Sequence, residues 1–195
     1  MINFTQHRMI SGSNKKKVHS AYLAICVAGV FMLSHPASGQ ELYVDFEEFN
    51  QPLEFVHLFG GAYLDIVENP MPTDINSSQK VAKTYKESYE AIPEAGMSAD
   101  LEKGYLIRDG INKISIDVLA RDAPGMLKLK LESYILGPDP RITEFDRKIT
   151  EVGKWERLVF DVSNLEHSLY NRIVLFFGFG EITEEVYFFD NLKFE

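Results

Sequence analysis

The sequence predicts an all-β fold, an antiparallel β-sandwich or jelly roll, and three observations predict it. Gly, Pro, Asn and Asp turn signals recur along the chain, among them Gly60-Gly61, Asn69-Pro70, Asp109-Gly110, Pro124-Gly125 and Gly178-Phe-Gly180. Between them lie short runs of period two, the pattern of strands with one buried face. Two apolar, aromatic segments, Glu41–Glu48 and Glu185–Phe194, stand near the two ends of the folded part and carry isolated acids. A charge inside an apolar strand needs a partner or a metal.

The elements follow in order. Residues 1–20 hold four cations (Arg8, Lys15, Lys16, Lys17) and no acid, and the apolar run Ala21–Leu33 follows. Ala37-Ser38-Gly39 then supplies a small-residue exit. This order is that of a cleaved secretory signal peptide over 1–39, with an apolar core short for a bilayer span. The domain expected beyond it is 40–195, and a secreted or periplasmic location follows. The only cysteine, Cys26, lies in the leader, so the domain is expected to hold together without disulfides.

Asp45 and Glu47 are two apart, and on a strand they would share one face opposite Phe46. Val81–Tyr85 reads as a strand over about 79–86, although Val81, Tyr85 and Tyr89 also fit helical spacing. Ile114, Ile116 and Val118 alternate with Lys113, Ser115 and Asp117; Leu127, Leu129 and Leu131 alternate with Lys128, Lys130 and Glu132. Ile173–Phe177 is apolar on both faces and reads as a central strand. Trp155–Val162 is another strand, with Trp155 packed at the sandwich edge rather than offered to a ligand, and a short helix is expected near Ser163–Tyr170.

Charge narrows the function classes. The chain carries 20 Lys and Arg against 29 Asp and Glu, net −9. Without the leader's four cations the balance is 16 against 29, or −13. So acidic a surface repels nucleic acid and anionic membranes, and no membrane insertion is expected once the leader is removed. His57, in Phe55-Val-His-Leu-Phe59, has the context of a core or loop histidine rather than a base or ligand, and His167 stands in a polar turn. No zinc-type spacing or nucleophile elbow is present.

The ordered set Asp45-Phe46-Glu47, Asn76–Val81, Leu127–Glu132, Gly153-Lys-Trp-Glu156, Leu158–Asp161, Arg172–Phe177 and Tyr187–Asn191 resembles carbohydrate-binding modules of the galactose-binding-like jelly-roll superfamily, of the secreted bacterial type. The resemblance covers nearly all of 40–195. It implies two packed antiparallel sheets, a structural calcium ion, and non-catalytic polysaccharide or oligosaccharide binding by a sheet face or by end loops. Onto Glu47 and Asp190 it carries the metal-ligand role. Asp45 is the third candidate, and carbonyls of Asn76–Lys80 would complete the oxygen set that Ca²⁺ requires. Sugar rings stack on aromatic faces while polar groups take the hydroxyls, so Tyr85, Tyr89, Tyr105, Tyr134, Lys130 and Glu132 are the ligand-binding candidates. A separate glycan-degrading enzyme or surface receptor is the expected partner. The rival readings are a structural or adhesion subunit making protein contacts, and a small glycoside hydrolase using Glu132 and Glu144 as its carboxylate pair.

Overall fold

The computed structural model describes residues 42–47, 53–87, 91–101, 104–133, 141–167, 169–182 and 184–195. Eleven strands form two antiparallel sheets among them. The six-stranded sheet contains β3 (Ala62–Glu68), β4 (Lys80–Lys86), β11 (Tyr187–Phe194), β6 (Lys113–Ala120) and β9 (Trp155–Asp161) in that order, with β1 (Leu42–Val44) also paired to β11. The five-stranded sheet runs β2 (Phe55–Phe59), β5 (Gly96–Asp100), β10 (Arg172–Phe177), β7 (Gly125–Ser133) and β8 (Arg141–Ile149). This is the jelly-roll sandwich that the alternating pattern requires.

The alternation explains the core. Ile114, Ile116 and Val118 of β6 and Leu127, Leu129 and Leu131 of β7 all point between the sheets and are fully buried. Phe189 is the hub: its ring meets Phe46 edge-on at 5.3 Å and Phe177 in a stack at 5.0 Å. β10, apolar on both faces, is flanked by β5 and β7 as expected of a central strand.

The outer face of the six-stranded sheet departs from the expected polar exterior. Ser115 and Asp117 are buried, because other parts of the chain cover this face. Val81, Leu119, Trp155, Val186 and Phe188 form a second apolar cluster. The Asn69–Ser78 segment is tied to it where the Trp155 Nε1–H donates to the Met71 carbonyl at 2.8 Å and Arg157 Nη2 donates to the Ile75 carbonyl at 3.1 Å. Trp155 is therefore a packing residue at the start of its strand, as its context predicts. The helix expected near Ser163–Tyr170 is absent among the described residues. Asp161 accepts from the backbone N–H and hydroxyl of Ser163, and this local bonding competes with a helical turn.

Candidate functional sites

Two sites emerge, one on the outer face of each sheet. The first is a cluster of carboxylate, amide and backbone oxygens beside β11. Antiparallel register places β1 next to the C-terminal half of β11, Val44 facing Leu192. β4 pairs with the N-terminal half, Ala82 facing Phe189. Between them β11 bulges after Asp190, and Asn191 takes a left-handed φ of 52°. β1 stops at Val44, so Asp45 and Glu47 do not lie on a strand. Phe46 has φ 58°, which breaks the alternation expected for them and frees its ring to reach Phe189. Asp45 Oδ1 instead accepts from the Glu47 N–H at 3.1 Å, an Asx turn. Glu47 caps the entry to β4, where its Oε1 accepts from the backbone N–H groups of Gln79 and Lys80.

Asp190 is fully buried, and its Oδ2 accepts from Asn76 Nδ2 at 3.0 Å. Its Oδ1 is left without a hydrogen bond of good geometry. Burial pushes its pKa up to about 7; the Ser78 hydroxyl, the Asn191 backbone and Asn76 oppose the rise, and Asp45 adds to it. A buried carboxylate oxygen without a donor is the environment a hard cation would complete. Among the described residues no three His, Cys, Asp or Glu side chains form one cluster. The donor set that fits a cation is therefore carboxylate plus amide and backbone oxygen, not three carboxylates. The carbonyls of Asn76, Ser78 and Gln79 already accept bonds from Thr73 and Asn69, though each retains a second lone pair.

Asp117, on β6 directly opposite Asp190, is a separate unit. Arg157 binds it through two nitrogens at 2.6 and 2.9 Å, and Asn191 Nδ2 adds a third bond at 2.8 Å. That carboxylate holds the Arg157 guanidinium above its ordinary pKa. Sequence patterning missed this pair, since Asp117 occupies what reads as a solvent-facing position.

The second site is a groove of about 620 Å³ on the outer face of the five-stranded sheet. Strand register builds it in three rows. Asp100, Arg172 and Glu132 face one another across β5, β10 and β7. In the next row stand His57, Ser98, Val174, Lys130 and Glu144, from edge strand β2 to edge strand β8. The third row holds Phe59 opposite Gly96, then Phe176, Lys128 and Asp146. The middle row is the floor. One wall is ionic: Arg172 Nη2 donates to Asp100 at 2.9 Å, a pairing that holds Asp100 below the usual carboxylate range, and Lys130 pairs with Glu132 at 2.6 Å. The other wall is aromatic, with Phe176 edge-on to Phe59 at 5.8 Å and to Phe179 at 5.5 Å. Lys128 lies 4.5 Å above the Phe179 ring, pairs with Glu144 and Asp146, and is held above its ordinary pKa mainly by Glu144.

Gly96 makes the aromatic wall possible. A Cβ there would stand 2.8 Å from the Phe176 ring and 2.7 Å from the Leu175 carbonyl oxygen. Gly96→Ala is expected to destabilise the fold by about 1–3 kcal/mol through overpacking, measurable as a lower urea midpoint with an unchanged slope. An unchanged midpoint would mean that the wall yields without cost.

Of the predicted ligand residues, Lys130 and Glu132 line the groove. Tyr85 does not: it stacks on Tyr63 at 5.1 Å and packs against the apolar cluster of the other sheet. Tyr105 is half-buried in the segment before β6 and is not among the groove residues. Tyr89 and Tyr134 lie outside the described residues. Glu144 is in the groove beside Glu132's strand, its carboxylate engaged by Lys128. His57 is exposed on β2, 3.8 Å from Asp100, and not a core histidine, because edge strand β2 turns it to the groove. His167 is tied to Asp109 at 2.7 Å on the surface. The tyrosine candidates did not include Phe59, Phe176 and Phe179, which line the groove from separate parts of the chain.

No protein-family model and no curated protein sequence matches this chain. Solved structures do resemble it. An exo-β-agarase matches at TM-score 0.61 and 13% identity over 80% of this chain, which corresponds to 24% of that protein. A CBM22 xylan-binding domain from Paenibacillus barcinonensis matches at TM-score 0.53 and 15% identity, over 77% of this chain and 95% of its own. A family 11 carbohydrate-binding module from Clostridium thermocellum, in complex with a mixed-linked β-1,3-1,4 tetrasaccharide, matches at TM-score 0.51 and 13% identity, over 79% and 94%. The chain thus has a jelly-roll β-sandwich fold similar to that of these modules. At these identities the likeness establishes the fold; function must be argued from the site.

Proposed function

We propose that this protein binds a polysaccharide non-catalytically in the groove of its five-stranded sheet. The single observation that carries the reading is that groove's facial division: an aromatic wall, a floor of Ser98 and Val174, and a ladder of paired carboxylates, ammonium groups and a guanidinium opposite. A pyranose chain has the same division, with C–H faces that stack on rings and hydroxyls that bridge charged groups. The solved modules of this fold include binders of xylan and of mixed-linked glucan, and these are the glycans to try first. The ionic pairs already present hold their side chains in place and lower the ordering cost of binding. Glu132 pairs with Lys130 and Glu144 with Lys128, so both carboxylates are held in place as acceptors for sugar hydroxyls. A module holding a polymer would act by raising the local substrate concentration for a separate enzyme or receptor.

Two further properties belong to the same proposal. The leader over 1–39 would direct the domain out of the cytoplasm. Asp190, Glu47 and oxygens of Asn76–Lys80, with Asp45 nearby, would hold a structural Ca²⁺ that ties β1, β4 and β11 together and takes no part in sugar chemistry.

The test is affinity electrophoresis of residues 40–195 in gels containing xylan, mixed-linked β-glucan, agar or an acidic polysaccharide. Retardation by at least one polymer, without turnover, is the expected result. Phe59 is 38% exposed, and Phe59→Ala is expected to weaken that retardation about tenfold or more, the effect of losing a central aromatic contact. A folded protein that no polymer retards, or Phe59→Ala that binds as tightly as wild type, would move the reading to the protein-contact subunit.

A further inference from the structure

The aromatic wall of the groove depends on a residue from the opposite sheet. Lys86 ends β4 and points inward, in phase with Ala82 and Thr84. Its side chain crosses the end of the sandwich and is 6% exposed. The ammonium donates to three backbone carbonyls: Pro93 at 2.9 Å, Gly178 at 2.7 Å and Glu181 at 2.8 Å. An ammonium has three donors, so all are used, and none goes to a carboxylate. Burial pushes Lys86 below the ordinary lysine pKa, opposed by the charges of Glu181 and Glu94. Burying an ammonium without a paired charge is costly, and the sandwich core itself gains little from it.

The two segments it joins are those that rim the groove. Pro93 lies between Ile92 and Glu94, and Gly178 precedes Phe179; Ile92, Glu94 and Phe179 all line the groove, whereas Lys86 does not. Backbone bonds complete the junction, Gly180 N–H to the Pro93 carbonyl at 3.2 Å and Phe179 N–H to the Met126 carbonyl at 3.2 Å. Phe179 in turn is the ring that meets Phe176 and carries Lys128 over its face.

We propose that Lys86 is a positioning residue for the groove: by holding the carbonyls of Pro93, Gly178 and Glu181 on one ammonium, it fixes Phe179 and Ile92 and thereby the aromatic wall against which a glycan stacks. The inference rests on the groove being the glycan site, and the experiment separates the two. Residues 40–195 are prepared as wild type, Lys86→Met, Phe179→Ala and the double variant. Affinity is read by electrophoresis in xylan and mixed-linked β-glucan, and amide hydrogen exchange is read at Ile92, Phe179 and Gly180. Lys86→Met is expected to speed exchange at these amides and to weaken glycan binding about tenfold. Phe179→Ala is expected to weaken it comparably, and the double variant no further than Phe179→Ala alone, because Lys86 acts through that ring. Ser115→Ala, in the other sheet, serves as the stability control and is expected to leave affinity unchanged. If Lys86→Met does not fold, Lys86→Gln, which retains amide donors, takes its place in the cycle.

Faster exchange with unchanged affinity would overturn the proposal, as would additive losses in the double variant. Absence of any wild-type retardation would overturn the groove reading and with it this role, while the exchange result would still show whether Lys86 clamps the two segments.

Discussion

Arg157→Ala is expected to lower stability by about 3 kcal/mol, the lower part of the range for breaking a buried ion pair. Asp117 is 0% exposed, and Arg157 is its only cationic partner among the described ion pairs. Without the guanidinium the buried carboxylate keeps the Asn191 amide as its described side-chain donor, and an uncompensated buried charge is costly. Arg157 is itself 48% exposed, and water admitted in its place moderates the loss. For a domain of this size that is a fall of roughly 10 °C in Tm, readable by thermal or urea unfolding. The companion Asp117→Leu with Arg157→Leu removes both charges and is expected to recover most of the loss, since an apolar pair of similar volume often replaces a buried ion pair without penalty. A single variant within about 0.5 kcal/mol of wild type, the range of surface substitutions, would show that the pair is solvated in solution.

The contrast between Asp117 and Glu132 shows what the sequence could and could not convey. Period-two alternation assigned β6 and β7 the correct inward residues, and Ile173–Phe177 the correct central place, because burial on one face or two leaves a direct mark on residue type. Alternation also turned Lys130 and Glu132 outward, where they do line the groove. It carries no information about what covers an outer face. Asp117 therefore read as solvent-facing although the Asn69–Ser78 segment and Arg157 enclose that region. The apolar, aromatic character of the first and last segments was legible, and β1 does pair with β11, but composition alone does not specify which strands are neighbours. The break at Phe46 was not legible, because a left-handed residue in place of a strand position is rare for an aromatic side chain. The groove's third row was hidden for another reason: Phe59, Phe176 and Phe179 come from three chain segments, and only strand register brings them together.

The stability of the fold in the absence of divalent cations is expected to decline as pH rises from about 4 to about 7 through Asp190. In the unfolded chain this aspartate ionises at its ordinary pKa of 3.8, while the folded protein retains the proton up to about 7. Across that interval the folded state binds the extra proton, so raising the pH favours unfolding. At about 1.4 kcal/mol per unit the full penalty is on the order of 4 kcal/mol and is complete above pH 7. A cation held by the ionised carboxylate reverses the sign: its charge favours the deprotonated form, and binding adds stability in proportion to the logarithm of its concentration over Kd. Urea unfolding at pH 5 and pH 8, each with chelator and with calcium, separates these effects. Chelator should matter strongly at pH 8 and little at pH 5. Asp190→Asn keeps the shape and removes the titration; its stability in chelator should lack the Asp190 decline, and calcium should no longer raise it. Other carboxylates contribute pH slopes of their own, so the quantity to compare is the difference between wild type and Asp190→Asn at each pH. A calcium response that survives Asp190→Asn would place the cation elsewhere, and a wild type indifferent to calcium at pH 8 would remove the metal from this site while leaving the proton-linked decline intact.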